Sequence, residues 1–272
     1  MKIHLPVIFG IILLFFYPMS AMAANDLLKY WRVFEENSEK TINHEDWQYI
    51  LDKYLIDETP SKINLFNYQA VSLSDQQKLA DYLKFMRSLD PRQYTRAVQK
   101  AYWINIYNAL TVKLIVDNYP VKSITKLGDS FFSFGPWDDE MITITGQSLS
   151  LNDIEHKILR PIFKDNRIHY AVNCASLGCP NLSKTVYTAK NMEPMLETAA
   201  KAFINHPRGV RFKGKKIIVS SIYHWYKEDF GDDNKQLLKH LIKYADSSLA
   251  DTLDTYKGKI DHDYNWNLNN VK

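Results

Sequence analysis

The sequence predicts a helix-rich α+β domain with a small, mostly antiparallel sheet. Three observations predict it. Apolar residues recur at helical spacing along most of the chain. Alternation with a period of two is confined to short runs bounded by turn residues. One long segment, KAYWINIYNALTVKLIV, is apolar almost all the way round, the pattern of a buried central helix.

Taken in order, residues 25 to 54 carry two amphipathic stretches, with Leu27, Leu28, Trp31 and Phe34 on one face and Trp47, Ile50, Leu51 and Tyr54 on another. Both are expected to be short helices packed on the main body. Pro60 and residues 64 to 67 break the pattern, and Ser72 or Ser74 is placed to cap a helix through Leu79, Tyr82, Leu83 and Met86, which Asp90-Pro91 ends. The apolar helix follows over about 96 to 118, stopped by Pro120. Its polar exceptions Asn105, Asn108 and Thr111 step by three and share one stripe, so buried amides there must either bond to backbone or line a site.

Beyond a loop rich in phenylalanine and glycine, Met141 to Thr145 read as a strand that turns at Gly146-Gln147. Ser150 and Asp153 form a capping-box pattern for a helix, SLNDIEHKILR, that Pro161 limits to about three turns. On it His156 and Arg160 share a face beside Glu155. The run Ile168, Tyr170, Val172 alternates with His169, Ala171, Asn173 and predicts a strand, with residues 174 to 180 as the loop leaving its end. A helix over 191 to 204, a strand pair at 210–212 and 217–219 turned at Gly214, helices near 222–227 and 235–244, and a polar tail DHDYNWNLN complete the chain.

The first 23 residues stand apart. Lys2, an apolar run from Leu5 to Tyr17 and the small-x-small site Ala21-Met22-Ala23 form the pattern of a secretory signal peptide cleaved near Ala23. The competing reading is a membrane anchor, but the run is short of the roughly 20 residues that span a bilayer. No transmembrane span is therefore expected in the mature chain, and a periplasmic or secreted location is. The formal net charge of +3 falls by one with Lys2, and so nearly neutral a chain lacks the basic footprint of a nucleic-acid binder. Nine glycines and ten prolines leave no room for long linkers.

In an exported chain the two cysteines become the central question. Cys174 and Cys179 either form a local disulfide that staples the loop, or Cys174 is a nucleophile with Cys179 structural or resolving, or both ligate a metal. Their spacing from His169 matches no usual zinc pattern, and neither a metal nor a cofactor is expected. A nucleophilic Cys174 requires a base. His169 is nearest in sequence, yet five residues of extended strand span roughly 16 Å, so His156 or the later His224 competes for the role.

The blocks AYWINIYNAL, SLNDIEHKILR, RIHYAVNCASLGCPNL, HWYKEDFG and YNWNLN together resemble the family catalogued as domain of unknown function 547. The resemblance covers about residues 68 to 269, which places a family-like domain at 68–272 behind a helical extension at 25–67. Asn105, Asn108, Glu155, His156, Arg160, His169, Asn173, Cys174, Cys179, Glu228 and Asp229 carry its recognisable pattern. Relatives in which the domain adjoins a glutaredoxin-like module point by analogy to thiol chemistry.

Three functions follow. In a cysteine-dependent acyl or amide hydrolase or transferase, Cys174 attacks a carbonyl, His156 or His169 moves the proton, and Glu155 or Asn173 orients the imidazole, with Asn105, Asn108 and Arg160 as candidate ligand contacts. In a non-thiol site, a Cys174–Cys179 bridge shapes a pocket where Glu155, His156 and His169 do acid/base work or bind a small ligand or metal. In an envelope binding or scaffold module, Leu27, Trp31 and Phe34 hold a protein partner. No small-molecule or peptide substrate can be named from the sequence.

Overall fold

The computed structural model describes residues 20–128 and 134–271. The expected leader over 1–23 therefore falls mostly outside the described residues, as does the heart of the phenylalanine-rich loop. α1 (Ser20–Trp31) and α2 (Glu45–Tyr54) lead into a minimal ladder of β1 (Leu55–Ile56) with β2 (Leu65–Phe66). α3 (Leu73–Ser88) starts where Ser72 Oγ accepts the Asp75 amide, and α4 (Arg96–Asp117) starts at an equivalent cap on Thr95. Every residue of α4 from Gln99 to Val112 is buried. The all-round apolar pattern meant what it predicted: α4 is the axis of the main core, with α3 and the N-terminal helices around it.

β3 (Ile142–Ile144) and β4 (Gln147–Leu149) form the expected hairpin, with Thr145 and Gly146 both at positive φ as a two-residue turn of this hand requires. Ser150 and Asp153 exchange amide bonds as a capping box, 3.0 and 2.9 Å. The helix behind it differs from expectation. Asp153–Leu159 is π-helical and runs on into α5 (Arg160–Phe163), ending two residues past Pro161 at a left-handed Lys164.

A correction concerns residues 168–173. Instead of a strand, a 3-10 helix covers Asn166–Tyr170, started by Asp165, whose carboxylate takes the Arg167 amide and pairs with Arg167 and Lys100. Ile168, His169, Tyr170, Ala171, Val172 and Asn173 are all buried. Alternation predicts a strand only when one face meets water, and this run has no such face.

The rest is a second, smaller core. α6 (Met192–Ile204), the hairpin β5 (Val210–Lys213) and β6 (Lys216–Ser220), the short α7 (Ile222–Trp225) and α8 (Lys227–Phe230), then α9 (Asn234–Tyr244) and an unforeseen α10 (Ser247–Asp254) surround it. β7 (Ile260–Asp263) adds to β6 in parallel, making the three-stranded sheet β5-β6-β7. The polar tail is no loose end: beyond β7 it returns to the first core, where Leu268 and Asn269 are buried between β2 and the cysteine loop.

The N-terminal helices are docked as expected. Trp31 is buried with its ring 5.0 Å from that of Trp103, and Leu27 packs on the same core. Of that face, Trp31 is thus covered by the chain's own α4. Phe34 is exposed, but the Arg96 guanidinium lies 4.2 Å over its ring. No helix among the described residues is long and apolar enough to cross a membrane.

Candidate functional site

A cavity of about 640 Å³ lies where the two cores meet. From the first core come Tyr107 on α4, Glu155 on the π-helical stretch, His169 on the 3-10 turn, and Cys174 with Cys179; from the second come Trp225, Tyr226 and Tyr264. The π-helix matters here. Its wider turn, closed by the Arg160 amide on the Glu155 carbonyl, keeps Ile154, Glu155, Ile158 and Leu159 all buried, so a carboxylate shares the apolar face.

One wall is ionic. His169 has Nε2 2.6 Å from Asp229 and Nδ1 3.5 Å from Glu155, and its ring stacks on Tyr226 at 4.4 Å. Asp229 also takes Arg160 Nε at 2.5 Å, while the other arm of that guanidinium reaches Glu228 and lies 3.2 Å from His156 Nδ1. Burial opposes the charge on His169, but Asp229 and Glu155 outweigh it and raise the imidazole above its usual value. Burial likewise pushes Glu155 up, and His169, the charge of His156 and the Tyr107 hydroxyl more than reverse this. Asp229 is brought down to about 2 against its own burial by His169 and Arg160. Each of these three groups thus favours its charged form because of the others.

The opposite wall is the cysteine loop. Cys174 Sγ lies 3.1 Å from Cys179 Sγ, 3.3 Å from Ser176 Oγ and 3.1 Å from Tyr264 Oη. At 3.1 Å the sulfurs are separate thiols, since a disulfide bond is about 2.05 Å long. The expected bridge is therefore not formed. The Cys179 contact lowers the Cys174 thiol most, with Ser176 and Tyr264 adding to it against burial, whereas burial drives the Cys179 thiol well above its usual value. Ala175 holds a left-handed φ of 57°, unusual for a residue with a Cβ, directly after the sulfur.

Buried amides hold that loop. Asn108 Oδ1 accepts the Asn173 amide at 2.8 Å and its Nδ2 donates to the Ala171 carbonyl at 2.9 Å. Asn173 Oδ1 in turn accepts the Ala175 amide, and its Nδ2 donates to the Pro180 carbonyl. Asn105 does the same for Tyr187, donating to its carbonyl and accepting its amide. The tail contributes backbone bonds from Leu177 and Gly178 to the Asn267 and Asn265 carbonyls. Gly178 is required there, because a Cβ would stand 2.7 Å from the Asn265 nitrogen.

The structure thus gathers Cys174, Cys179, Glu155 and His169 at the cavity and puts Asn173 behind them. It does not bring Asn105 and Asn108 into contact with a ligand space: their amides are used up on backbone, the fate of most buried amides. Arg160 and His156 lie on a neighbouring polar cavity and join the site through Asp229. His224 is exposed, with its ring 5.0 Å from that of His262. Among the described residues, no histidine hydrogen-bonds the Cys174 sulfur, and no group of three or more His, Cys, Asp or Glu side chains is arranged for a metal.

Sequence reasoning missed Tyr107, Ser176, Tyr226, Tyr264 and Arg208, whose guanidinium donates to the Cys179 carbonyl at 2.7 Å. Asp229 was visible only within a block of the resemblance. The aromatic density of HWYKEDFG and YNWNLN was the available signal, because aromatic residues crowded into irregular segments must pack on something.

Residues 91–204 match the family described as "Protein of unknown function, DUF547", so the resemblance holds over that segment. The match spans α4, the hairpin, the π-helix and both cysteines. It stops before Tyr226 and Tyr264, which complete the cavity lining, and before Asp229, which holds His169 from behind. No curated protein and no solved structure matches the chain.

Proposed function

We propose that the chain is an exported, thiol-dependent acyl or amide hydrolase or transferase with Cys174 as nucleophile. The observation that carries this is Cys174, a half-buried residue lining an aromatic cavity, whose sulfur is surrounded by one thiol and two hydroxyls that favour its anion. These three contacts ease ionisation of the thiol although no histidine touches it among the described residues. Export rests on the pattern of residues 1–23.

In this reading the sulfur attacks a carbonyl carbon, and the carbonyl electron pair moves to oxygen. Collapse of the adduct expels an amine or alcohol, which takes a proton from the His169 imidazolium through Glu155. Water, or an acceptor nucleophile, then attacks the thioester, returns a proton to the same pair and frees Cys174. The test is alkylation by iodoacetamide, with and without prior reduction, read by mass spectrometry. Selective labelling of Cys174 at neutral pH supports the reading; a Cys174 that stays unreactive after reduction sinks it.

The sulfur–sulfur contact of 3.1 Å favours a second reading, thiol–disulfide exchange. Here Cys174 attacks a substrate disulfide, Cys179 displaces the mixed disulfide, and two substrate thiols leave as the internal bridge closes. Cys179→Ser separates the two: it halts disulfide reduction at the mixed disulfide in the exchange reading, whereas in the first it slows acyl turnover by weakening the thiolate without abolishing it.

A further inference from the structure

The lining of the cavity is lopsided in charge. Among the described residues that line it, Glu155 and Asp138 are acidic and His169 is the one basic side chain. That imidazole does not serve Glu155 well. Its Nε2 is 2.6 Å from Asp229, whereas Nδ1 is 3.5 Å from Glu155, beyond the 2.7 to 2.9 Å usual for a charge-assisted bond. Glu155 is thus a buried carboxylate held in its charged form by a long contact to the imidazole, the charge of His156 and the Tyr107 hydroxyl. Across the cavity stands the Cys174 sulfur, and Glu155 opposes its ionisation. Two groups inclined to negative charge thus share one space in which His169, already paired with Asp229, is the one basic side chain among the described lining residues.

The remaining surface is aromatic. Trp225 and Trp266 stack at 5.4 Å, Tyr264 meets Trp266 at 4.5 Å, and Trp137 meets Trp266 at 5.5 Å. Tyr107 and Tyr226 complete the inner part. Ring faces attract cations, most strongly where water is excluded, and a carboxylate behind them adds direct attraction. A neutral apolar ligand would bring no counter-charge to the acidic side of the cavity, and an anionic one would face both Glu155 and the sulfur.

We infer that the cavity recognises an organic ammonium group, held between Glu155 and the aromatic walls, so that the substrate of Cys174 carries a positively charged amine. This rests on the cavity being the thiol site proposed above, and it adds the substrate class.

The experiment titrates the full chain with benzyltrimethylammonium, benzyl alcohol and benzoate, followed by tryptophan fluorescence and calorimetry. Benzyltrimethylammonium is expected to bind about tenfold more tightly than either other compound, and Glu155→Gln to abolish about tenfold of that affinity. Equal or tighter binding of benzyl alcohol or benzoate overturns the inference, as does a folded Glu155→Gln that binds the cation unchanged. Should Glu155→Gln not fold, the ranking of the three compounds on the unaltered protein decides. The same titration on Cys174→Ser keeps the two readings apart. Cation binding without alkylation of Cys174 overturns the nucleophile and leaves an ammonium site that serves no thiol chemistry. Alkylation of Cys174 without cation selectivity does the reverse.

Discussion

The two walls of the cavity are built on opposite principles. On the ionic wall, Glu155, His169, Asp229, Arg160 and Glu228 come from three separate stretches of chain and are held by charge, so each member depends on its neighbours' protonation. The cysteine loop is held by backbone: Asn108 and Asn173 fix it from within, the tail and Arg208 from outside, and its sulfur meets only neutral donors. The difference teaches where damage spreads. Losing a charge from the first wall leaves a buried counter-charge unpaired and is felt by the whole fold, whereas a change at the Cys174 sulfur alters reactivity and little else.

The largest expected effect is all or none. Cys174→Ser removes iodoacetamide labelling of the native reduced protein while its melting temperature stays within a few degrees; a large drop in melting temperature would show that the loop is structural after all. Next, His169→Gln places Glu155 and Asp229 around a neutral group and is expected to cost about 3 to 5 kcal/mol in urea unfolding. A loss below about 1 kcal/mol would show that water, not the imidazole, satisfies those carboxylates.

The pH dependence sharpens the contrast between this wall and the histidines elsewhere. His169 has a raised pKa, so its contribution is present below the unfolded value of about 6.5 and is lost as pH climbs through the folded one. The gap in stability between the unaltered protein and His169→Gln should therefore narrow on the alkaline side. His44 and His240 behave oppositely: burial, joined for His240 by Lys243, holds each at about 4. Their contribution is present above about 6.5 and lost as pH falls through about 4, up to about 3 kcal/mol each. Unfolding free energy measured from pH 7 to 4 should decline accordingly, and a flat profile would contradict neutral burial of both rings.

Smaller effects probe the loop. Asn108→Ala leaves the Asn173 amide and Ala171 carbonyl without partners, at a cost of about 2 kcal/mol, and should change the alkylation rate of Cys174 along with stability. An unchanged rate would detach α4 from control of the thiol. Ala175→Gly relieves the left-handed backbone and should stabilise by about 0.5 kcal/mol, the strain removed less the flexibility gained; destabilisation would mean that the methyl group packs better than its backbone suffers.

Much of the scaffold was legible. The buried helix, the Gly146 and Gly214 turns, the Ser72 cap and the Ser150–Asp153 box all depend on residues within a few positions of each other. Residues 168–173 misled because alternation was mistaken for two faces where both are covered. The π-helical register of 153–159 gave no sign, since the same apolar spacing suits an ordinary helix over two turns. Glu155, His169 and Cys174 were identifiable as chemistry-bearing types. Their partners were not: Asp229 lies 60 positions from His169 and Tyr264 lies 90 from Cys174.

By itself the sequence determined a helix-rich α+β chain, its central helix, the family of its middle segment and the residue types able to do chemistry, because local periodicity and capping act over one or two turns. Only the tertiary structure decided that the cysteines are a close, unbridged pair, that Asn105 and Asn108 hold backbone, and that His169 belongs to two carboxylates. Those outcomes depend on which distant groups share a desolvated space, and burial sets the charge of each group only once its neighbours are in place.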